Sequence, residues 1–214
     1  MDTSNRNKLK NRYPRMVHND HVARLRAIMS ERQARLAALK TRADAEAYLR
    51  HVRRALRKAF GPLPRRTPLK ARIVGSQEYA GYRLEKVLFE SRPGFLVTGN
   101  LYLPEGVSTK GSAPGVLGLC GHSADGKMAA VYQSFCLGLV LKGFVVFIID
   151  PIAQGERDQY APVKGSRLAG CPAHNMLGNQ LALVDDFFGA WRAWDGIRAL
   201  DYLLSRSEVD KRRV

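Results

Sequence analysis

The chain has 214 residues, 45% of them apolar, and a formal net charge of +16. That is enough apolar material for a sizeable core. No stretch reaches the roughly 18 uninterrupted apolar residues of a membrane span, and the opening "MDTSNRNKLKNRYPR" lacks the apolar core of a secretory signal, so a cytoplasmic setting with no membrane partner is expected.

The charge is unevenly spread. Residues 1–72 hold 20 Lys/Arg against 5 Asp/Glu, whereas residues 73–214 hold 15 against 14. Residues 1–16 read as a loose basic arm. From His21 to Lys40, Val22, Leu25, Met29 and Leu36 recur at helical spacing. A second helix is expected from Ala43 to Phe60, capped by Thr41. Its stripe is Leu49, Val52, Leu56 and Phe60, with Arg50, Arg53, Arg54, Arg57 and Lys58 over the rest. Aromatic interleaving and nucleic-acid motifs are missing here. A solvated helical face is therefore expected, and a nucleic-acid partner is not. "GPLPRRTPLK" (61–70) is a proline-rich connector, which divides a basic helical extension (1–69) from a second domain (70–214).

Past residue 70 the period changes. "YRLEKVLFES" (82–91) alternates as a half-buried strand does, and "FLVTGNLYLP" (95–104) follows after a turn as its antiparallel neighbour. "GVLGLC" (115–120) and "FVVFIID" (144–150) are almost wholly apolar, as strands buried on both faces are. A helix is expected between them, from Met128 to Leu141. Residues 151–176 read as a long Gly- and Pro-containing loop, and 179–206 as a long helix with a break near Gly189. Two antiparallel strands followed by β-α-β-α imply an α/β sheet. Ligands in such sheets sit beyond the carboxyl ends of the parallel strands. "CGHSADG" and "DPIAQGER" fall there.

Within these segments Ser123 is a tempting nucleophile, but Gly121-His122-Ser123-Ala124-Asp125-Gly126 is one residue too long for a G-x-S-x-G elbow. Asp150 reads as a loop cap that binds backbone amides, and Glu156 with Arg157 as a loop anchor. His174 is a weaker general-base candidate. Cys120, Trp191 and Trp194 read as core. Cys120, Cys136 and Cys171 are too scattered for a disulfide framework or zinc knuckle. No metal-ligand spacing occurs, and no cofactor is expected.

Four stretches carry a resemblance: "SRPGFLVTGNLYLPEG" (91–106), "PGVLGLCGHSADGK" (114–127), "IDPIAQGERDQY" (149–160) and "AWDGIRALDYLLSRSEVDKRRV" (193–214). In this order they resemble the amino-terminal half of an α/β-hydrolase, in the acetyl xylan esterase and dienelactone hydrolase-like branch. Cys120 stands where that branch commonly has His, His122 at its aromatic position, and Ile152-Ala153 in place of Arg-Gly. The resemblance implies a serine-type carboxylic ester hydrolase acting on a small-molecule or carbohydrate ester. It implies that the His122 amide is an oxyanion donor, and that Gly121, Ser123, Asp150, Gln154, Gly155 and Glu156 belong to the substrate-pocket loops. It further implies that the nucleophile, acid and histidine lie beyond Val214, so that these residues are a fragment. Such a fragment is expected to be inactive alone and to self-associate through an exposed sheet edge. The alternative is a non-catalytic basic module that binds nucleic acid or anionic surfaces on a hydrolase-like scaffold.

Overall fold

The computed structural model describes residues 15–160, 168 and 170–214. Most of the expected basic arm (1–14) and part of the expected 151–176 loop lie outside the described residues. The chain divides into two compact units, 1–57 and 58–214.

The first unit is helical, with α1 (Met16–Ala37) and most of α2 (Arg42–Phe60). Thr41 caps α2 as expected. Its Oγ1 accepts from the Asp44 amide at 3.1 Å, and Asp44 Oδ2 accepts from the Thr41 amide at 2.9 Å. The two satisfy each other's free donors, as in a capping box.

The second unit is an α/β sheet. Its elements are β1 (Arg72–Tyr79), β2 (Tyr82–Arg92), β3 (Phe95–Pro104), β4 (Gly115–Leu119), α3 (Ala130–Val140), β5 (Val145–Ile149), α4 (Cys171–Ala182) and α5 (Phe188–Ser205). The sheet order is β1-β2-β3-β5-β4. The first three strands pair antiparallel, β5 pairs antiparallel with β3, and β4 pairs parallel with β5. β5 is therefore an interior strand, between β3 and β4, and each of its residues is buried. Val145, Phe147 and Ile149 enter one core with Ala199, Tyr202 and Leu203 of α5. Val146 and Ile148 enter the other with Cys136 and Val140 of α3. The period of two in a strand sends alternate residues to opposite faces, so one apolar run anchors a helix on each side. Among the described residues no helix is long and apolar enough to cross a membrane.

β4 ends the sheet order, and the chain returns to it. Ala113 bridges Val209 in parallel. The Asp210 amide donates to the Ala113 carbonyl at 2.8 Å, and the Gly115 amide donates to the Arg213 carbonyl at 2.8 Å. Residues 208–213 thus run along the start of β4.

Three expectations are corrected. β1 was not foreseen: it is an exposed edge strand with a register shift between Ile73 and Gly75, and an edge needs no apolar alternation. Part of the expected 151–176 loop is α4, which begins at Cys171-Pro172. A proline in the first turn removes an amide that has no helical partner anyway. The expected helix 179–206 is two helices, and the break falls at 183–187, not at Gly189. Asp185 sits there at φ +54, and Asp186 accepts from the Phe187 amide and from Trp191 Nε1.

Gly99 on β3 faces the core where a side chain would not fit. An added Cβ would lie 2.6 Å from the Phe147 ring and 3.1 Å from the Ile148 carbonyl oxygen. Gly99→Ala should therefore cost about 1–3 kcal/mol through overpacking, read as a lower urea midpoint at unchanged slope.

Candidate active site

β4 and β5 are parallel and in register to their ends, Leu119 opposite Ile149. The segments that follow them, 120–127 and 150–157, therefore leave the sheet side by side. Asp150 binds one to the other. It is fully buried, as is nearly all of Lys127. Asp150 Oδ1 accepts from the Lys127 amide at 2.8 Å. Oδ2 accepts from the Lys127 ammonium, from the Thr98 hydroxyl at 2.7 Å and from the Glu156 amide at 3.3 Å. Lys127 also pairs with Glu156, whose side chain remains 64% exposed. A charge so buried is tolerated only when paired and hydrogen-bonded.

Two glycines make room for this carboxylate. Gly126 and Gly155 have φ of +54 and +55, and a Cβ on either would lie 2.1 Å or 2.4 Å from Asp150 Oδ1. Gln154 and Gly155 add crosslinks. Gln154 Nε2 donates to the carbonyls of Gly121 (2.9 Å) and Ser123 (2.6 Å), and the Gly155 amide donates to the Ala124 carbonyl (2.9 Å). Arg157, read from sequence as a partner of Glu156, is instead buried against Asp195 of α5 at 2.8 Å, and it also donates to the Asp150 carbonyl at 2.9 Å. Both residues anchor loops, on different partners.

The upper loop is open. Gly121 and His122 are exposed. The Gly121 amide donates to the Tyr132 hydroxyl at 2.7 Å, and a Cβ there would sit 3.0 Å from that oxygen. The smallness of Gly121 thus makes room for the Tyr132 hydroxyl. Among the described residues, the His122 amide and the Ser123 hydroxyl make no hydrogen bond, so no base touches Ser123. The His122 ring lies 4.9 Å from that of His174. His174 is buried, with Nε2 against the Ile152 carbonyl at 2.7 Å and, among the described residues, Nδ1 without a partner. Burial, above all, holds its imidazole below the usual histidine range, which keeps the ring neutral. Cys120 is buried as expected, and burial with the nearby Asp150 carboxylate pushes its thiol up to about 12. It is no nucleophile at neutral pH. A largely apolar cavity of about 380 Å³ opens beside it, lined by Leu119, Cys120, Ile149, Pro151 and Arg192 among others. Trp194 is core, with Nε1 donating to the Ser91 carbonyl at 2.8 Å. Trp191 is half-buried under the Arg92 guanidinium, 3.6 Å from its ring centroid. Among the described residues, no group of three or more His, Cys, Asp or Glu converges as a metal would require.

The strand order β2-β3-β5-β4, with only β3 reversed against β5 and a parallel bridge from Val209 to Ala113 just before β4, decides the fold. The chain carries the amino-terminal part of an α/β-hydrolase fold. Solved structures agree. An acetyl xylan esterase of Bacteroides fragilis, described as putative, matches at 18% identity with a TM-score of 0.62, over 80% of this chain and 46% of its own. An acetyl xylan esterase from Paenibacillus sp. R4 matches at 23% and 0.53, over 69% and 45%. A methylesterase matches at 21% and 0.62, over 84% and 37%. The chain thus spans less than half the length of each. No family model matches the chain, and no curated protein does.

Sequence reading missed Lys127, Thr98 and Tyr132. Gly126 and Gly155 were the available sign: two glycines in loops meant to meet imply a close approach, though not to which group. Lys127→Met should destabilise by about 3–5 kcal/mol, because it leaves Asp150 buried without its charge partner. Glu156→Gln should change stability by about 1 kcal/mol or less, since that side chain is largely in water. Urea unfolding of the two variants checks the contrast.

His174 supplies a pH dependence. Its folded-state value lies below the unfolded value of 6.5, so its contribution is complete above that pH. It is lost as the pH falls through 6.5 toward the folded value, because the unfolded chain takes the proton first. His174→Gln should flatten that part of the stability profile, measured by melting between about pH 7.5 and 5.5.

Proposed function

We propose that this chain supplies the amino-terminal part of a serine-type carboxylic ester hydrolase of the acetyl xylan esterase kind, acting on a small-molecule or carbohydrate ester. One observation carries the reading: among the described residues the His122 amide is an unpaired donor, on an exposed loop at the carboxyl end of β4. A carbonyl oxygen arriving there would meet a fixed N–H that binds more strongly as negative charge develops. The esterases among the similar folds support the class. Gly121, Ser123 and Glu156 would line the approach, while Asp150, Gln154 and Gly155 brace it from beneath.

The nucleophilic serine, the acid and the histidine then belong beyond Val214, on and after a strand laid beside β4. The parallel run of 208–213 along β4 favours that placement. The histidine would take the serine proton as the oxygen attacks the ester carbonyl. The His122 amide would hold the oxyanion, the alcohol would leave with that proton, and water would release the acid. Until such a strand pairs, β4 presents an edge with Leu119 60% exposed, and a second copy can associate there.

The 214-residue chain should hydrolyse p-nitrophenyl acetate no faster than buffer, and Ser123→Ala should not change that. In a chain carrying the residues encoded after Val214, a fluorophosphonate should label a serine beyond Val214. His122→Ala should keep most of kcat, because the donor is backbone, and His122→Pro should lower it about a hundredfold or more. Labelling of Ser123 itself, or activity in the 214-residue chain that Ser123→Ala removes, contradicts the reading.

A further inference from the structure

At the end of the sheet away from Gly121, the β1–β2 turn brings two tyrosines together. Tyr79 and Tyr82 pair across the hairpin, with rings stacked at 4.9 Å and 9°. Gly81, at φ +84, makes the tight turn between them. The stack leaves Tyr79 42% exposed. Beside it lies a cavity of about 400 Å³ whose lining includes Glu78, Tyr79, Tyr82, Arg83, Glu105 and Glu208. Tyr82 is opposite Pro104, and Tyr102 is opposite Val146 near the start of β5. The cavity therefore belongs to the amino-terminal end of the parallel strands, whereas the His122 loop leaves their carboxyl end.

Its chemistry suits one ligand class. A partly open aromatic surface takes the C–H face of a pyranose ring. Carboxylates and a guanidinium at its margin accept from and donate to ring hydroxyls. Arg83 lies within 3.1 Å of Glu85, and Glu208 is paired with Arg206 at 2.7 Å. Arg83 and Glu208 are thus already paired within the protein, and the carboxylates of Glu78 and Glu105 are left to accept from sugar hydroxyls. We propose that this cavity is a second, non-catalytic site for a neutral oligosaccharide. It would hold a glycan chain at the face opposite the ester-hydrolysing loops. The ligand class rests on the carbohydrate-ester reading above, but binding here needs no nucleophile and can be measured in these 214 residues.

The test is calorimetric titration of the 214-residue chain with xylohexaose, and separately with hexalysine, at low and high salt. The expected result is xylohexaose binding at a Kd of about 1 mM, insensitive to salt. Tyr79→Ala should weaken it about tenfold or more, and Tyr79→Phe should retain it. Glu105→Gln should weaken it while leaving the fold intact by circular dichroism. Binding of xylohexaose that Tyr79→Ala leaves unchanged overturns the proposal. So does no binding at about ten times that Kd, or salt-sensitive binding of hexalysine alone. None of these results depends on fluorophosphonate labelling beyond Val214, so this site and the hydrolase reading stand or fall separately.

Discussion

An ammonium group removed from water must be neutralised where it lies, and Asp150 neutralises that of Lys127. The consequences extend beyond one ion pair. Each Asp150 oxygen accepts a backbone amide, one from the segment after β4 and one from the segment after β5. The Thr98 hydroxyl ties the same carboxylate to β3. Three neighbouring parts of the sheet thus close on one side chain. Gly126 and Gly155 are required because the carboxylate occupies the space a Cβ would take. A saturated polar cluster of this kind fixes geometry well, and a partly satisfied one is costly.

The sheet makes that convergence possible. β5 is buried on both faces and in register with β4 to its last residue, so the two loops start level. Arg157 then carries the second loop down to Asp195 on α5, and Gln154 draws the first loop's carbonyls toward it. Among the described residues the His122 amide has no partner, above a braced base. In the proposed hydrolase, a donor held in that way would need little reorganisation when charge appears beside it, which is the physical basis of oxyanion stabilisation.

The fold was legible because its strands announce themselves. "FVVFIID" is buried at every residue of β5, and the alternation in 82–91 has one reading. "GVLGLC" announces a strand by its apolar run, but its expected burial on both faces is not met, because β4 ends the sheet and leaves Leu119 60% exposed. β1 was illegible because an exposed edge imposes no pattern on its residues, and α4 because its opening Gly-Cys-Pro looks like loop punctuation. The sequence placed two loops side by side beyond β4 and β5 and read Asp150 as an acceptor of amides, and both features are in the structure. It could not reveal Lys127. A lysine reads as surface by type, and only the three-dimensional meeting of two loops makes it a buried counter-ion. Arg157 was misassigned to Glu156 for the same reason, since its partner is 38 residues away on another element.

Native-state hydrogen exchange across residues 118–160 tests the clamp most directly. The account predicts that the amides of Lys127, Gly155 and Glu156 open together with one free energy, because all three close on or beside Asp150, while the His122 amide exchanges as an unprotected group. In Asp150→Asn those three should lose protection together, with the β5 amides keeping theirs. Independent opening of the three amides, or strong protection at His122, would contradict it.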